Sequence, residues 1–229
     1  MMQPATQVPS VLVGALAPLG QVGTLSGIAK NIVRGPWHLT RNGIAGDAQG
    51  DRKHHGGPEK ALHHYPREHY AAWSRELREH PLLRDAGAFG ENLSTIGWTE
   101  ENVCIGDVVR FGSVVLQVSQ GRQPCFRLNL RFGREDMAVK VQHTGRTGWY
   151  YRVCEPGVVA DGAELTLVDR PQPEWPLSRI VRLLYFDIGN RGDFGRAADI
   201  PELAEGWRAL FRRRLESGKI EEWQKRLDG

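Results

Sequence analysis

The chain contains 229 residues, of which 40% are hydrophobic and 25% are charged. These fractions lie near the averages of globular proteins and exclude wholesale disorder, and no apolar run approaches the roughly 18 residues that a transmembrane helix needs. The 30 lysine and arginine residues against 27 aspartate and glutamate residues give a net charge of +3. This mild excess suits an anionic ligand, but it is too balanced to indicate nucleic-acid binding.

Short strands separated by glycine-rich turns are predicted from residue 11 to about residue 168. Residues 113–119 alternate, with Val114, Leu116 and Val118 on one face, and the preceding Phe111-Gly112-Ser113 is typical of a hairpin turn. An apolar run at residues 11–19 lacks a preceding basic residue, so we interpret it as a strand rather than a signal peptide. The candidate strands are 11–17, 28–33, 103–111, 113–119, 148–153 and 163–168.

Helical patterns interrupt these strands and then take over the C-terminal part of the chain. One helix is predicted from Pro66 to about residue 79 and another from about residue 134 to residue 143. Beyond a proline-rich stretch, apolar residues recur with helical spacing at residues 177–184, after a capped start at Asp199, and at residues 220–227. We therefore expect a mainly β fold with α elements, divided into a tail and first strand at 1–21, a β-barrel domain at 22–170 and a three-helix domain at 177–229.

The segment Arg122-Gln123-Pro124-Cys125-Phe126-Arg127 is the strongest candidate for chemistry. It directly follows a predicted strand, and Pro124 stiffens the turn that presents Cys125. Cations such as Arg122 and Arg127 favour the thiolate form of a nearby thiol, which can act as a nucleophile or as a soft metal ligand. The alternative is an inert buried cysteine, because cysteines outside disulfides are among the most buried residues.

Two further segments could contact a ligand. A glycine-rich stretch runs from Gly43 through Asp47 to the His54-His55-Gly56-Gly57 motif, and its exposed backbone N–H groups and cations could form an anion nest or a plain turn. The segment Phe89-Gly90-Glu91-Asn92-Leu93 could orient a ligand, although an Asx-turn that satisfies its own backbone is the favoured interpretation. The spacing of His63, His64 and His69 does not suit a zinc site.

The three cysteines, Cys104, Cys125 and Cys154, indicate the compartment. They cannot all pair with one another and show no C-x-x-C spacing. A disulfide framework is therefore not expected, and we predict a reducing compartment, the cytoplasm.

Taken together, these segments resemble the MOSC domain, the C-terminal-type module of molybdenum cofactor sulfurases. The resemblance is closest to the bacterial YiiM-like subgroup, which carries a three-helix C-terminal extension, and it covers about residues 22 to 228. The motifs that carry it occur in the family's order: Gly43-Ile44-Ala45-Gly46-Asp47, His54-His55-Gly56-Gly57, Gly90-Glu91-Asn92-Leu93, Gly106-Asp107, Val118-Ser119-Gln120 and Arg122-x-Pro124-Cys125, with the subgroup's His64-Tyr65-Pro66-Arg67-Glu68-His69-Tyr70 and Ser217-Gly218-Lys219-Ile220-Glu221.

The resemblance implies a β-barrel that holds the molybdenum cofactor, a pterin dithiolene (molybdopterin) with a phosphate, with the Cys125 thiolate on molybdenum. It implies reduction of N-hydroxylated substrates such as 6-N-hydroxylaminopurine and hydroxylamines. His55 could deliver a proton or hold the cofactor, or it could simply satisfy a turn. From position and charge we add Lys30, Lys53 and Arg122 as residues that could hold the pterin and its phosphate. Gly56, Asn92 and Arg127, which lie in the same motifs, complete the predicted cofactor-binding set.

The sequence has no flavin or NAD motif and no cluster cysteines, so we expect electrons from a separate flavoprotein reductase. The apolar faces of the C-terminal helices could pack on the barrel, on a second copy in a homodimer, or on this partner.

The main alternative function is a persulfide or cofactor carrier that uses Cys125 without turnover. A thiol hydrolase or transferase is a third. Pyridoxal phosphate is associated with the family through fused sulfurase domains, and this chain is too short to hold one.

Overall fold

The computed structural model describes residues 4–20, 23–50 and 56–229. Its strands are β1 (Ser10–Val13), β2 (Ala17–Leu19), β3 (Thr24–Ser26), β4 (Asn31–Ile32), β5 (Trp37–Thr40), β6 (Gly43–Ile44), β7 (Leu62–Pro66), β8 (Leu93–Thr95), β9 (Val108–Phe111), β10 (Val114–Gly121), β11 (Trp149–Glu155), β12 (Gly157–Val159) and β13 (Leu165–Asp169). Its α-helices are α1 (Glu68–Glu76), α2 (Arg127–Phe132), α3 (Met137–Thr144), α4 (Leu177–Tyr185), α5 (Arg191–Ala198), α6 (Glu205–Ser217) and α7 (Gln224–Asp228).

Eight strands form a mixed half-barrel in the order β13-β9-β10-β11-β7-β8-β1-β4, flanked by the smaller sheets β12-β5-β6 and β2-β3. Within the eight-stranded sheet, β7 and β8 are parallel and the other pairs are antiparallel. The strand β1, which the sequence analysis placed ahead of the barrel domain, pairs with β4 and β8 inside this sheet. The predicted β-rich domain followed by a helical domain is confirmed.

The predicted hairpin between β9 and β10 is confirmed, with Val114 paired to Phe111. The predicted inward row of Val114, Leu116 and Val118 is fully buried. In the opposite row of β10, Val115 and Ser119 are buried and Gln117 is half-buried, and the Ser119 carbonyl accepts a 2.9 Å hydrogen bond from the backbone N–H of Ala204 in the C-terminal domain. The strand β10 is therefore enclosed on both faces, and its far end leads directly into the cysteine segment.

Several short strands were not predicted, and β7 shows why. Its sequence, Leu-His-His-Tyr-Pro, lacks the alternation of a half-buried strand because all five residues are buried. The helix α2 was also missed, because it spans six residues and starts directly after the cysteine turn.

The C-terminal domain contains the helices α4, α5 and α6, but they differ from the three that the sequence predicts. The helix start predicted at Asp199 is wrong, because Asp199 caps the C-terminal end of α5 and the next helix begins at Glu205. The helix α6 ends at Gly218, whose left-handed conformation is typical of a helix C-cap. A Cβ on Gly121 would approach Val181 and Trp207 to 3.0 and 3.2 Å, so these helices pack closely on the barrel.

Within the described residues, no helix is both long enough and apolar enough to cross a membrane.

Candidate functional site

A pocket lies where the loop after β3, the loop after β6 and the loop before β8 meet the cysteine segment. Five of the residues predicted from the sequence to act in the site line this pocket: Lys30, Asn92, Arg122, Cys125 and Arg127. Gly56 does not line it, and Lys53 and His55 lie outside the described residues. The structure thus brings together segments that are up to about a hundred positions apart in the chain.

Cys125 sits between the end of β10 and the first turn of α2. Its side chain faces the pocket but is well covered, since the residue is 4% exposed. Its backbone carbonyl accepts a 2.9 Å hydrogen bond from the N–H of Leu128, which fixes the residue at the start of the helix. None of the three cysteines, all of which are in the described part of the chain, forms a disulfide.

Arg122 is a buried cation in the wall of the pocket, with 6% of its surface exposed. Its backbone N–H donates to Gly148 O at 3.0 Å, which holds the residue at the end of the β10–β11 pair. Its side-chain Nη1 has no hydrogen-bond partner among the residues that the structure describes. A buried cation with an unsatisfied donor is costly, so this side chain is suited to receive an anion.

Lys30 and Asn92, both predicted to bind the pterin or its phosphate, are bonded to protein groups in this structure. The Lys30 ammonium forms a buried ion pair with Asp47 Oδ1. Asp47 Oδ2 accepts a 2.8 Å hydrogen bond from Asn92 Nδ2, and Asn92 Oδ1 accepts from the backbone N–H of His63 at 3.1 Å. Burial lowers the pKa of Lys30, and the Asp47 carboxylate opposes this change. These residues brace the pocket wall, so the unpaired positive charge of the described wall centres on Arg122 rather than on Lys30.

Two glycines allow the walls of the pocket to approach closely. A Cβ on Gly27 would lie 1.8 Å from the carbonyl oxygen of Ala48, which no side chain can tolerate. Gly90 has a φ of +75°, and a Cβ there would lie 2.7 Å from Ile28 Cγ1. The glycines around Asp47 and Asn92 therefore serve close backbone packing.

His63 and Tyr150 also line the pocket, and the sequence analysis did not select either as a functional residue. They are paired across β7 and β11, with ring centroids 5.2 Å apart. Burial, together with the Arg122 cation, lowers the pKa of His63 well below its usual range, so this imidazole is neutral. Burial raises the pKa of Tyr150, with Arg122 acting in the opposite direction. The signal that could have found Tyr150 is the alternation of β11, in which Trp149 and Tyr151 point to the other face.

The three histidines considered for a zinc site have separate partners. His63 Nε2 donates to Thr147 O at 3.4 Å, and the two ring nitrogens of His64 lie 3.1 Å from Tyr151 Oη and 2.9 Å from Thr95 Oγ1. His69 Nε2 lies 2.7 Å from Glu100 Oε2. In the described ranges, no group of three or more His, Cys, Asp or Glu side chains converges in a way that could hold a metal ion.

The acidic residue of the Gly90-Glu91-Asn92 motif has a structural role. Glu91 is fully buried, and its carboxylate accepts hydrogen bonds from the backbone N–H groups of Gly87 and Phe89 at 2.7 and 3.1 Å and from the Tyr70 hydroxyl. The Asx-turn expected for this motif is not formed, because Asn92 Oδ1 accepts from the N–H of His63 rather than from a neighbouring backbone group, and it is Glu91 that satisfies the backbone of the turn.

Comparisons with known proteins identify the family of each domain. The MOSC domain family model matches residues 51–166, and the model described as a YiiM-like, 3-alpha helix domain matches residues 175–218. The chain is 43% identical to Protein YiiM of Escherichia coli strain K12, over 90% of this chain and 92% of that protein. It is 38% identical to a protein named Reductase from Gibberella moniliformis, over 78% of this chain, and spans 33% of that protein's length. The crystal structure of YiiM from Escherichia coli superposes with a TM-score of 0.79 and 39% identity, covering 94% of this chain and 100% of that one.

Proposed function

The chain belongs to the MOSC domain family, with a YiiM-like three-helix domain after the barrel, and we propose that it is a molybdenum-cofactor-dependent reductase of N-hydroxylated compounds. A buried thiol and a buried cation line the same pocket, and this observation carries the proposal. Cys125 offers a soft sulfur donor, and Arg122 offers a donor with no partner among the described residues. Soft sulfur for the metal and a cation for an anionic group are what a phosphorylated pterin with molybdenum requires.

The residues present therefore fit the cofactor. Cys125 would hold the metal, and Arg122 and Arg127 would bind the anionic part of the pterin. When bound, the molybdenum cofactor supplies a metal centre that exchanges two electrons. Reduction of an N-hydroxyl group to an amine and water requires two electrons and two protons, so the stoichiometry matches.

The protein's own residues would orient the substrate and handle protons. We assign to Tyr150 Oη the delivery of a proton to the departing hydroxyl group, because burial keeps this phenol protonated and it lies in the pocket wall. The neutral His63 imidazole supports the Tyr150 ring from the neighbouring strand. Lys30, Asp47 and Asn92 hold the opposite wall in place.

The electrons would come from a separate flavoprotein reductase, which is a proposal about the partner's chemistry. A protein named Reductase aligns with this chain over a third of its own length, and this lends support to a redox role. We also propose that the protein works in the cytoplasm, where a reducing environment keeps the Cys125 thiol available.

The experiment is reduction of 6-N-hydroxylaminopurine by protein made in a host that synthesises the cofactor. A chemically reduced dye replaces the unidentified reductase, so failure to find the partner cannot hide activity. We expect turnover by the wild type, none by Cys125→Ser, and wild-type turnover by Cys154→Ser, a matched control because Cys154 does not line the pocket. If wild-type protein that contains the cofactor does not reduce 6-N-hydroxylaminopurine, the proposal is wrong.

The same preparations test the persulfide carrier. If Cys125 carries one additional sulfur atom in the intact-mass spectrum and the protein contains no molybdenum, then the carrier function is correct and the reductase is not. The thiol of Cys125 would then serve as an acceptor and donor of sulfur rather than as a metal ligand.

A further inference from the structure

Residues 221–227, here called the C-terminal strap, run across the loop that carries Cys125. The Arg226 side chain donates from Nη1 to the carbonyl oxygen of Pro124, and the backbone carbonyl of Arg226 accepts a 2.9 Å hydrogen bond from the N–H of Phe126. One strap residue therefore bonds to the residue before Cys125 and to the residue after it.

The bond to Phe126 has a clear physical reason. Phe126 is the N-cap of α2, and backbone N–H groups at a helix N-terminus have no partner within the helix. The Arg226 carbonyl supplies one. Asn129 Nδ2 also donates to Leu227 O at 2.8 Å, so the strap fixes the first turn of α2 as well as the cysteine loop.

The other end of the strap is anchored in the three-helix domain. Arg214 of α6 is 2% exposed, and its Nε and Nη2 bond to the two carboxylate oxygens of Glu221 at 3.0 and 2.6 Å. Arg214 Nη1 donates to Leu184 O at 2.9 Å, which ties the pair to the end of α4. Trp223 donates from Nε1 to Glu221 at 3.0 Å and packs edge-on against Tyr185.

Arg226 also bonds to the barrel side of the site. Its Nη2 donates to Gln142 Oε1 of α3 at 2.6 Å, and its guanidinium lies 5.9 Å from the centre of the Tyr185 ring. The continuous path from α4 through Arg214, Glu221 and Arg226 ends at the main chain on either side of Cys125. The helical domain is thus mechanically connected to the thiol.

We propose that Arg226 is a positioning residue and that the C-terminal strap holds the Cys125 loop in the conformation that presents the thiol to the pocket. The inference rests on the proposed function for its purpose, because a metal-binding thiolate must be held in one place. The contacts from which it is argued are those of the metal-free chain, so it can be tested without the cofactor. The strap lies beyond the matched range of the three-helix domain, residues 175–218, and Arg226 was not selected from the sequence as a functional residue.

The test measures how fast Cys125 is alkylated in metal-free protein, with each cysteine quantified by peptide mass spectrometry. The wild type should react slowly because Cys125 is 4% exposed. Arg226→Met removes the donors to Pro124 and Gln142 and should raise the alkylation rate about tenfold. Arg226→Lys keeps a cation and should give an intermediate rate. Glu221→Gln, at the other end of the strap, should also accelerate alkylation because it weakens the bond between the strap and Arg214.

Lys225→Met is the matched control, because it removes the same charge from a neighbouring exposed position and should leave the rate unchanged. Hydrogen exchange separates a positioning role from a general loss of stability. In Arg226→Met, exchange should accelerate in the peptide that contains Phe126 and stay unchanged in β9 and β10.

The inference would be overturned if Arg226→Met showed the same alkylation and hydrogen-exchange rates as the wild type. It would also be overturned if hydrogen exchange accelerated equally across the whole barrel. These measurements need no cofactor. If wild type made in the cofactor-synthesising host lacks molybdenum but the alkylation pattern holds, the proposed function fails while the positioning role of the strap stands.

Discussion

Asp47 and Asn92 are joined by a 2.8 Å hydrogen bond that links the glycine-rich loop after β6 to the loop before β8. The other carboxylate oxygen of Asp47 accepts from the Gly14 N–H at 2.8 Å and pairs with the Lys30 ammonium. One carboxylate therefore joins three separate chain segments at the wall of the pocket. The Asp47 carboxylate therefore holds the pocket wall in place without having to contact a ligand.

Replacement of Asp47 with asparagine should destabilise the protein, because it leaves the buried Lys30 ammonium without its counter-charge. Breaking a buried pair by removing one partner costs roughly 3–5 kcal/mol, and we expect a loss in this range in urea-unfolding experiments. Asp161→Asn is the control, since Asp161 pairs at 3.6 Å with Arg34 in an exposed setting and should cause no measurable change. Equal stabilities of Asp47→Asn and the wild type would contradict the role assigned to this network.

Replacement of Arg122 with methionine should separate ligand binding from folding. The metal-free variant should be at least as stable as the wild type, because a buried cation with an unsatisfied donor is removed. Inorganic phosphate, used as a probe, should raise the melting temperature of the wild type but not that of the variant. Arg110→Met, an exposed change on β9, should retain the response to phosphate. A phosphate response that survives in Arg122→Met would show that the anion binds elsewhere.

The sequence predicted several residues that line the pocket, but it did not predict the contacts that hold them in place. The Arg122-Gln123-Pro124-Cys125 segment is a local signal, because a strand, a stiff turn and flanking cations are contiguous in the chain. The bond between Arg226 and Pro124 joins residues separated by 102 positions, and nothing in the local pattern around Arg226 indicates it. Similarly, the charge of Lys30 suggested a ligand contact, but its partner Asp47 could be identified only from the fold.

The fold shows the same division. The alternating strand at 113–119 and the stripe along α6 were predictable because each has one strong period. The helix α5 was missed because its sequence, Arg-Gly-Asp-Phe-Gly-Arg-Ala-Ala, contains two glycines and little apolar periodicity. Its stability comes from tertiary packing, with the Phe194 ring stacked on Phe211 of α6 at 5.8 Å.

Replacement of Gly27 with alanine should deform the pocket wall. The new Cβ would lie 1.8 Å from Ala48 O, and because that atom belongs to the backbone, one of the two loops must move. We expect a loss of roughly 2 kcal/mol or more in the free energy of unfolding, together with loss of the phosphate response. Gly206→Ala is the control, because an added Cβ meets nothing within 4 Å in the helix α6 and should be neutral or stabilising. A fully stable Gly27→Ala protein would disprove the close approach.

The protein should lose stability as the pH falls below about 6.5, the ordinary pKa of histidine. Burial lowers the pKa of His64 to about 3, so the unfolded chain takes up a proton that the folded chain resists throughout this window. This residue alone should contribute a slope of roughly 1.4 kcal/mol per pH unit, and His63 shifts in the same direction. Below about pH 3 both states are protonated at His64 and its contribution to the slope ends.

The measurement is the free energy of urea unfolding between about pH 4.5 and 6.5. His64→Gln should reduce the slope by the contribution of one proton, because the glutamine amide cannot be protonated in this pH range. His38→Gln alters an exposed histidine on β5 and should leave the slope unchanged. An identical slope in His64→Gln and the wild type would show that His64 is protonated in the folded state.

We propose that Cys125 holds molybdenum, and elemental analysis of purified protein is the direct test. Wild type, Cys125→Ser and Cys154→Ser would be made side by side in a host that synthesises the cofactor, with the pterin released by oxidation and measured by fluorescence. We expect close to one molybdenum and one pterin per chain in the wild type and in Cys154→Ser, and a sharp loss of molybdenum in Cys125→Ser. Wild-type protein without molybdenum, or Cys125→Ser with a full complement of it, would contradict the claim.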